Sequence, residues 1–163
     1  MQYLVTGGTG YIGTEIIHHL LSKGDGVICL TRKELKSDMP NLTYVTGDIS
    51  NLDSLSKICS EYSPDGIFHT AGVAGIFKSP SVTNQFHKAN ECGTFNVLSS
   101  ALESSVKKVV FSSSSAIYGD SSESLKTENI VCHPKSYYGV SKLISEIYVN
   151  SFRELYGLST LTL

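Results

Sequence analysis

The stretch Gly7-Gly8-Thr9-Gly10-Tyr11-Ile12-Gly13 follows directly on the apolar run Tyr3-Leu4-Val5. Glycine at 7, 10 and 13 falls where a strand should hand over to a helix. Gly7 allows the backbone angles of a tight turn that a side chain opposes. Gly10 lets a pyrophosphate approach the main chain, and Gly13 lets the helix press on the strand. The helix start then offers free N–H groups and a partial positive charge to phosphates. In a chain with 14 glycines such a triplet is weak evidence alone, because glycine also serves as plain turn punctuation.

The order of the surrounding elements supplies the context. Residues 2–6 read as a buried strand. A helix follows from Tyr11 to Lys23, with Ile12, Ile16, Ile17, Leu20 and Leu21 on its apolar face, stopped by Gly24 and Gly26. Val27–Leu30 and Leu42–Thr46 read as strands, separated by a charged loop over 32–41. Ser50 and Asp53 form a capping arrangement for a helix through Leu55, Ile58, Cys59 and Tyr62. Strands over 67–70 and 106–112 alternate with helices over 83–104 and 136–156, and 158–163 reads as a sixth strand. Buried strands with helical crossovers predict an α/β fold with a doubly wound parallel sheet. The whole chain, 1–163, reads as one dinucleotide-binding domain.

Ligands in such sheets bind beyond the carboxyl ends of the strands. The unusual residues fall at those ends: Gly7–Gly13, Thr31-Arg32, Asp48-Ile49, Ala71-Gly72 and Ser112–Ser115. The second chemical signal is Tyr138-Gly139-Val140-Ser141-Lys142. Positions i and i+4 share a helix face, so phenol and ammonium can cooperate. A nearby lysine and a cationic nicotinamide ring favour the phenolate, which can take a proton from a substrate hydroxyl as hydride leaves its carbon. The hydroxyls of Ser112–Ser115 can hold the same substrate oxygen. By itself the Tyr-x-x-x-Lys spacing is weak, since a lysine stem packed across a surface tyrosine gives the same pattern.

Bulk properties narrow the field. Hydrophobic residues make up 40% and charged residues 17% of the chain, as in a globular domain. The formal charge of -2 gives no reason to expect nucleic acid or anionic membrane as a partner. No apolar run is long enough to cross a bilayer. Cys29, Cys59, Cys92 and Cys132 show no metal-type spacing, and two of them lie in apolar runs as core residues. These features, with an N-terminus that goes straight into a strand, predict a soluble cytoplasmic protein. His18, His19, His87 and His133 have no sequence partners that suggest metal. His69 is read as a packing residue.

The chain resembles the N-terminal part of an extended short-chain dehydrogenase/reductase, of the nucleotide-sugar epimerase/dehydratase branch. The matching pieces are LVTGGTGYIG (4–13), GDI (47–49), HTAG (69–72), NECGT (90–94), FSSSSAIYG (111–119) and SYYGVSK (136–142). The resemblance implies an NAD(P)-binding Rossmann fold. Gly7, Gly10 and Gly13, with Tyr11 and Ile12 in the same turn, would cradle the pyrophosphate. Asp48 and Ile49 would touch the adenine, Ala71 and Gly72 line the cofactor channel, and Asn90 support the nearby helix. Ser114 aligns with the catalytic hydroxyl, with Ser113 and Ser115 adjacent to it. Tyr138 would be the acid/base, and Lys142 would bind the nicotinamide ribose and favour the phenolate.

Two departures from the family pattern carry information. Relatives that use NAD commonly have Asp at the end of the second strand, where this chain has Thr31-Arg32. A guanidinium in place of a carboxylate suits a 2′-phosphate, so the sequence leans to NADP over NAD. Dehydratases of the family tend to carry Asp-Glu after the catalytic hydroxyl. Ser115-Ala116 stands there instead, which disfavours dehydration.

The expected activity is epimerisation or reduction at a hydroxyl/carbonyl carbon, with a nucleotide sugar as the small-molecule partner. The alternatives are an NADP(H)-dependent alcohol dehydrogenase or carbonyl reductase on a non-sugar substrate, and a non-catalytic dinucleotide-binding module. The family's C-terminal substrate-binding region is expected to be absent. The resemblance also suggests a homodimer through the helices near 83–104 and 136–156, where Leu143, Ile144, Ile147, Tyr148 and Phe152 exceed what one sheet needs.

Overall fold

Two residues of the first strand assign the two sides of the sheet. In a computed structural model, which describes residues 1–75, 80–120 and 125–163, β1 (Gln2–Thr6) has Leu4 and Val5 fully buried and pointing to opposite faces. Leu4 joins Ile28, Leu30, Ile67, Val97 and Leu98 in the larger core, and Val5 joins Ile17, Leu20, Val27 and Cys29 in the smaller one.

Six parallel strands form the sheet in the order β3-β2-β1-β4-β5-β6. They are β1, β2 (Gly26–Thr31), β3 (Leu42–Thr46), β4 (Gly66–His69), β5 (Lys108–Phe111) and β6 (Thr160–Thr162). The order reverses between β1 and β4, and a doubly wound sheet opens its ligand crevice at that switch point. Helix α1 (Tyr11–Ser22) covers the smaller core. Helices α2 (Leu52–Tyr62), α4 (Gly93–Glu103) and α5 (Tyr137–Tyr156) cover the larger one. The predicted doubly wound parallel sheet is therefore the observed architecture, with all six strands in their predicted places to within a few residues.

Three local details differ from the sequence reading. The buried stripe of α1 is Gly13, Ile17 and Leu20, whereas Ile12 is 54% exposed. A side chain at 12 faces solvent because the glycine beside it is the residue pressed on the strand. The cap of α2 is Asn51, whose side chain accepts from the Ser54 N–H at 2.9 Å, and not Ser50. Ser50 is engaged by Asp48, whose Oδ1 accepts from both its N–H and its hydroxyl at 2.8 Å.

The third difference lies in the helix expected over 83–104. It is a run of α3 (Pro80–Phe86), a π turn (His87–Cys92) and α4. The Gly93 N–H reaches back to the Lys88 carbonyl, five residues away, which is the π-type bond. Helix α5 behaves as predicted. The Ser136 hydroxyl accepts from the Gly139 N–H at 3.0 Å, and Gly157, at φ 71°, ends the helix in the left-handed region.

Candidate active site

The turn between β1 and α1 is built by glycines that leave no room for side chains. Gly7 has φ +74°, and a Cβ there would stand 2.6 Å from the Ala71 backbone nitrogen. A Cβ on Gly13 would run into the Gly7 carbonyl oxygen. Gly8, which the sequence reading passed over, is equally constrained: a Cβ would meet Cys29 Sγ at 2.5 Å and Ile17 Cδ1 at 2.6 Å. Gly10 is the least crowded of them, a Cβ there standing 3.2 Å from the Gly7 carbonyl oxygen, and it caps α1 without a side chain. The first helical bond after this turn is Thr14 N–H to Gly10 carbonyl at 2.9 Å, so the ladder leaves the N–H groups of Tyr11, Ile12 and Gly13 at the helix start. Tyr11 and Ile12 themselves point outward, at 89% and 54% exposure.

This turn is one wall of a cleft of about 470 Å³ at the carboxyl ends of β1–β4. Gly7, Gly10, Thr31, Arg32, Asp48, Ile49, Ala71 and Gly72, all singled out in the sequence, line it. Thr31 is buried, and its hydroxyl accepts from the Lys33 N–H at 3.2 Å. Arg32 is exposed and has no ion-pair partner among the described residues. The far wall was missed. Gln85, Lys88 and Ala89 come from α3 and the π turn, at the i, i+3, i+4 spacing of one helical face. That spacing was the available signal.

The cleft walls are tied together by buried polar groups. Thr6 Oγ1 lies 2.7 Å from His69 Nδ1, and His69 Nε2 lies 3.0 Å from Thr94 Oγ1. The same Thr6 oxygen accepts from the Ala71 N–H at 3.3 Å. His69 thus joins the ends of β1 and β4 to α4. Burial, and secondarily the charge of Lys142, push its pKa down to about 3, so the imidazole is neutral.

Asn90, in the π turn, fixes the next wall. Its amide pairs with both backbone groups of Val73, at 2.8 and 2.9 Å, and donates to Ser141 Oγ at 2.9 Å. Ser145 donates to the Asn90 carbonyl at 2.9 Å. On the loop after β3, Asn96 Nδ2 donates to the Ile49 carbonyl at 2.9 Å, and Gly93 has no space for a Cβ, which would meet Ile49 Cδ1 at 2.6 Å. Thr94, Asn96, Ser141 and Ser145 were not legible as site residues, because each acts through a partner distant in sequence.

Ser114, Tyr138 and Lys142 stand apart from the cleft lining. Lys142 is closest to it: a Cβ built on Gly72 would stand 4.0 Å from its Nζ. Lys142 is buried, donates to the Ser112 carbonyl at 2.6 Å, and its Nζ sits 4.6 Å from the Phe111 ring centroid. Burial lowers its pKa to about 8, against a smaller opposing pull from Glu146. Tyr138 is half-buried one turn earlier on α5, its ring 6.1 Å from that of Phe86. Ser114 caps a 3₁₀ turn (Ser115–Ile117) by accepting from the Ala116 N–H at 3.2 Å, which leaves its own O–H to donate elsewhere. Gly139 lets α5 close on that turn, since a Cβ would meet the Ala116 carbonyl at 2.5 Å. Ser113 Oγ is buried without a hydrogen-bond partner among the described residues.

A doubly wound parallel sheet with a glycine-built turn at its switch point, and a Tyr and a Lys one turn apart on the helix past the cleft, defines a Rossmann-type domain of the short-chain dehydrogenase/reductase kind. The chain belongs to the NAD dependent epimerase/dehydratase family, whose model matches residues 3–163. It is 34% identical over 160 residues to a UDP-glucose 4-epimerase of Halalkalibacterium halodurans, covering 97% of this chain and 48% of that protein. It is 31% identical over 159 residues to UDP-glucose 4-epimerase 3 of Oryza sativa subsp. japonica, covering 89% and 43%. Among solved structures, UDP-glucose 4-epimerase from Brucella ovis in complex with NAD superposes with a TM-score of 0.90 at 27% identity, over 99% of this chain and 50% of that one. The chain spans about half the length of the curated relatives it matches.

Proposed function

We propose that this chain is the cofactor-binding and proton-handling part of a nucleotide-sugar epimerase. The observation that carries the reading is the placement of Lys142: buried, bonded to the Ser112 carbonyl, one turn after Tyr138, and beside Gly72 where the cleft ends. Nucleotide sugar as substrate class rests on the names of the relatives, which are UDP-glucose 4-epimerases.

The cleft suits a nicotinamide dinucleotide. Gly7 and Gly13 exclude side chains from the turn, and Gly10 with the free N–H groups of α1 would receive the pyrophosphate. Asp48 and Ile49 would flank the adenine, with Asn96 and Gly93 holding their loop. When bound, the nicotinamide would take hydride from a carbinol carbon and return it. The protein's own part is the proton. Tyr138 would take it from the substrate hydroxyl and give it back, and Ser114 would donate its free O–H to the same oxygen. The Lys142 ammonium, held by Ser112, would favour the phenolate through space and bind the nicotinamide ribose.

The two dinucleotides draw on different observations. Thr31 in place of a carboxylate, followed by the unpaired Arg32, favours NADP. The Brucella ovis structure is described in complex with NAD, which favours NAD. Calorimetric titration of the chain with each separates them, and binding of neither would overturn the cofactor reading.

Turnover is tested in the protein that carries this chain, with UDP-glucose. Interconversion of 4-epimers without net change in reduced-nicotinamide absorbance, lost in Tyr138→Phe with dinucleotide affinity retained, supports the proposal. A steady absorbance change would favour a net dehydrogenase, and full turnover by Tyr138→Phe would overturn the acid/base role.

A further inference from the structure

The π turn does more than place Asn90. In an α-helix, positions i and i+5 are about 140° apart around the axis. A turn closed by i→i+5 bonds is wider and narrows that angle. Here it carries His87 and Cys92 onto one side, with Cys92 Sγ 3.6 Å from His87 Nε2. Glu91, four residues from the histidine, falls on the same side, and its Oε2 lies 2.8 Å from His87 Nδ1. An acid, an imidazole and a thiol are thus joined in series on a surface turn. His87 is 59% exposed and Glu91 16%. None of the three lines the cleft, although Lys88 and Ala89, between them in the chain, do.

The geometry points to Cys92 as a reactive thiol, a modification site for small disulfides. With the carboxylate accepting from Nδ1–H, the imidazole carries its free lone pair at Nε2, facing the sulfur. Nε2 takes the thiol proton as the sulfur attacks one sulfur of the disulfide. A new S–S bond forms, the old one breaks, and the proton passes from His87 to the departing thiolate, or to water where that thiolate is a weak base. Glu91 acts as a positioning residue for the imidazole. The other cysteines lack this arrangement. Burial pushes the thiols of Cys29 and Cys59 up to about 11, and burial followed by the charge of Glu146 raises Cys132.

The test is the rate of mixed-disulfide formation with a nitrophenyl disulfide whose leaving thiolate is coloured, followed from pH 6 to pH 9 with mass-spectrometric assignment of the modified residue. The expected result is one fast thiol per chain, absent in Cys92→Ser. At pH 7, His87→Gln should slow it about tenfold, with a smaller loss in Glu91→Gln, and the gap should narrow towards pH 9 as hydroxide generates the thiolate unaided. His87 is exposed while Glu91 and Cys92 are partly buried, and His87→Asn is the second variant should His87→Gln not fold. A fast phase that survives in Cys92→Ser, or wild-type rates in both histidine variants across the pH range, would overturn the assignment.

Discussion

Lys142 Nζ lies 2.6 Å from the carbonyl oxygen of Ser112, which fixes an ammonium at the end of β5 within a largely buried setting. The hydrogen bond holds the charge in place, yet burial still lowers the lysine pKa to about 8. A group kept at this cost in stability is one whose removal separates function from folding.

Lys142→Met tests that separation. An unfolded lysine titrates near ~10.4. Below pH 8 both states are protonated and the folded state bears the penalty of the buried charge, which disappears as pH rises from 8 towards 10.5. The variant should therefore be at least as stable as the wild type at pH 7, by an amount on the order of 1–3 kcal/mol, seen as an equal or higher melting temperature, and lose this advantage by pH 10.5. Dinucleotide affinity should fall at the same time. A variant that melts lower at pH 7 would contradict the stored penalty.

His69 gives a pH signature of the same sign in a more acidic window. Its folded pKa of about 3 lies below the 6.5 of a free histidine, so the unfolded chain binds the extra proton between these values. Stability from this residue is complete above pH 6.5 and declines as pH falls towards 3. In His69→Gln the melting temperature should be lower at pH 7, because the Thr6 and Thr94 contacts are altered, but should fall less steeply from pH 6.5 to pH 5. Parallel slopes in scanning calorimetry would remove His69 as a source of acid sensitivity.

The glycine turn predicts a graded response. Gly7→Ala must adopt φ +74° and meet the Ala71 backbone, and Gly13→Ala must displace the Gly7 carbonyl. Each should destabilise by about 1–3 kcal/mol and weaken dinucleotide binding beyond that effect. Gly24→Ala is the control. It shares the positive φ, at +79°, but has open space around its Cβ, so it should cost stability without touching affinity. Equal loss of binding in all three would show that the turn is not the phosphate site.

Arg32→Ala tests nucleotide choice at the end of β2. If the guanidinium meets a 2′-phosphate, the Kd for NADP⁺ should rise about 10- to 100-fold while that for NAD⁺ changes little. Equal changes for both nucleotides in calorimetry would show that Arg32 has no part in the choice.

The sequence by itself determined the alternation of elements, the glycine turn after the first strand and the place of Tyr138 and Lys142 one turn apart on a helix. These depend on local periodicity, on glycine's freedom at Gly7 and on i, i+4 spacing, all readable within a few residues. The parallel, doubly wound class followed from the same alternation, whereas the strand order β3-β2-β1-β4-β5-β6 is read only from the structure. Only the tertiary structure decided the π turn, the bridge of His69 between Thr6 and Thr94, and the Asn90 contacts to Val73 and Ser141. The His69 and Asn90 bonds join groups 17 to 63 residues apart, and no local pattern records which distant hydroxyl, amide or backbone group will satisfy a buried polar group. The far wall of the cleft was hidden for the same reason. Lys88 and Ala89 read as ordinary helix surface until Gly93, closing on Ile49, brings their turn over the ends of the strands.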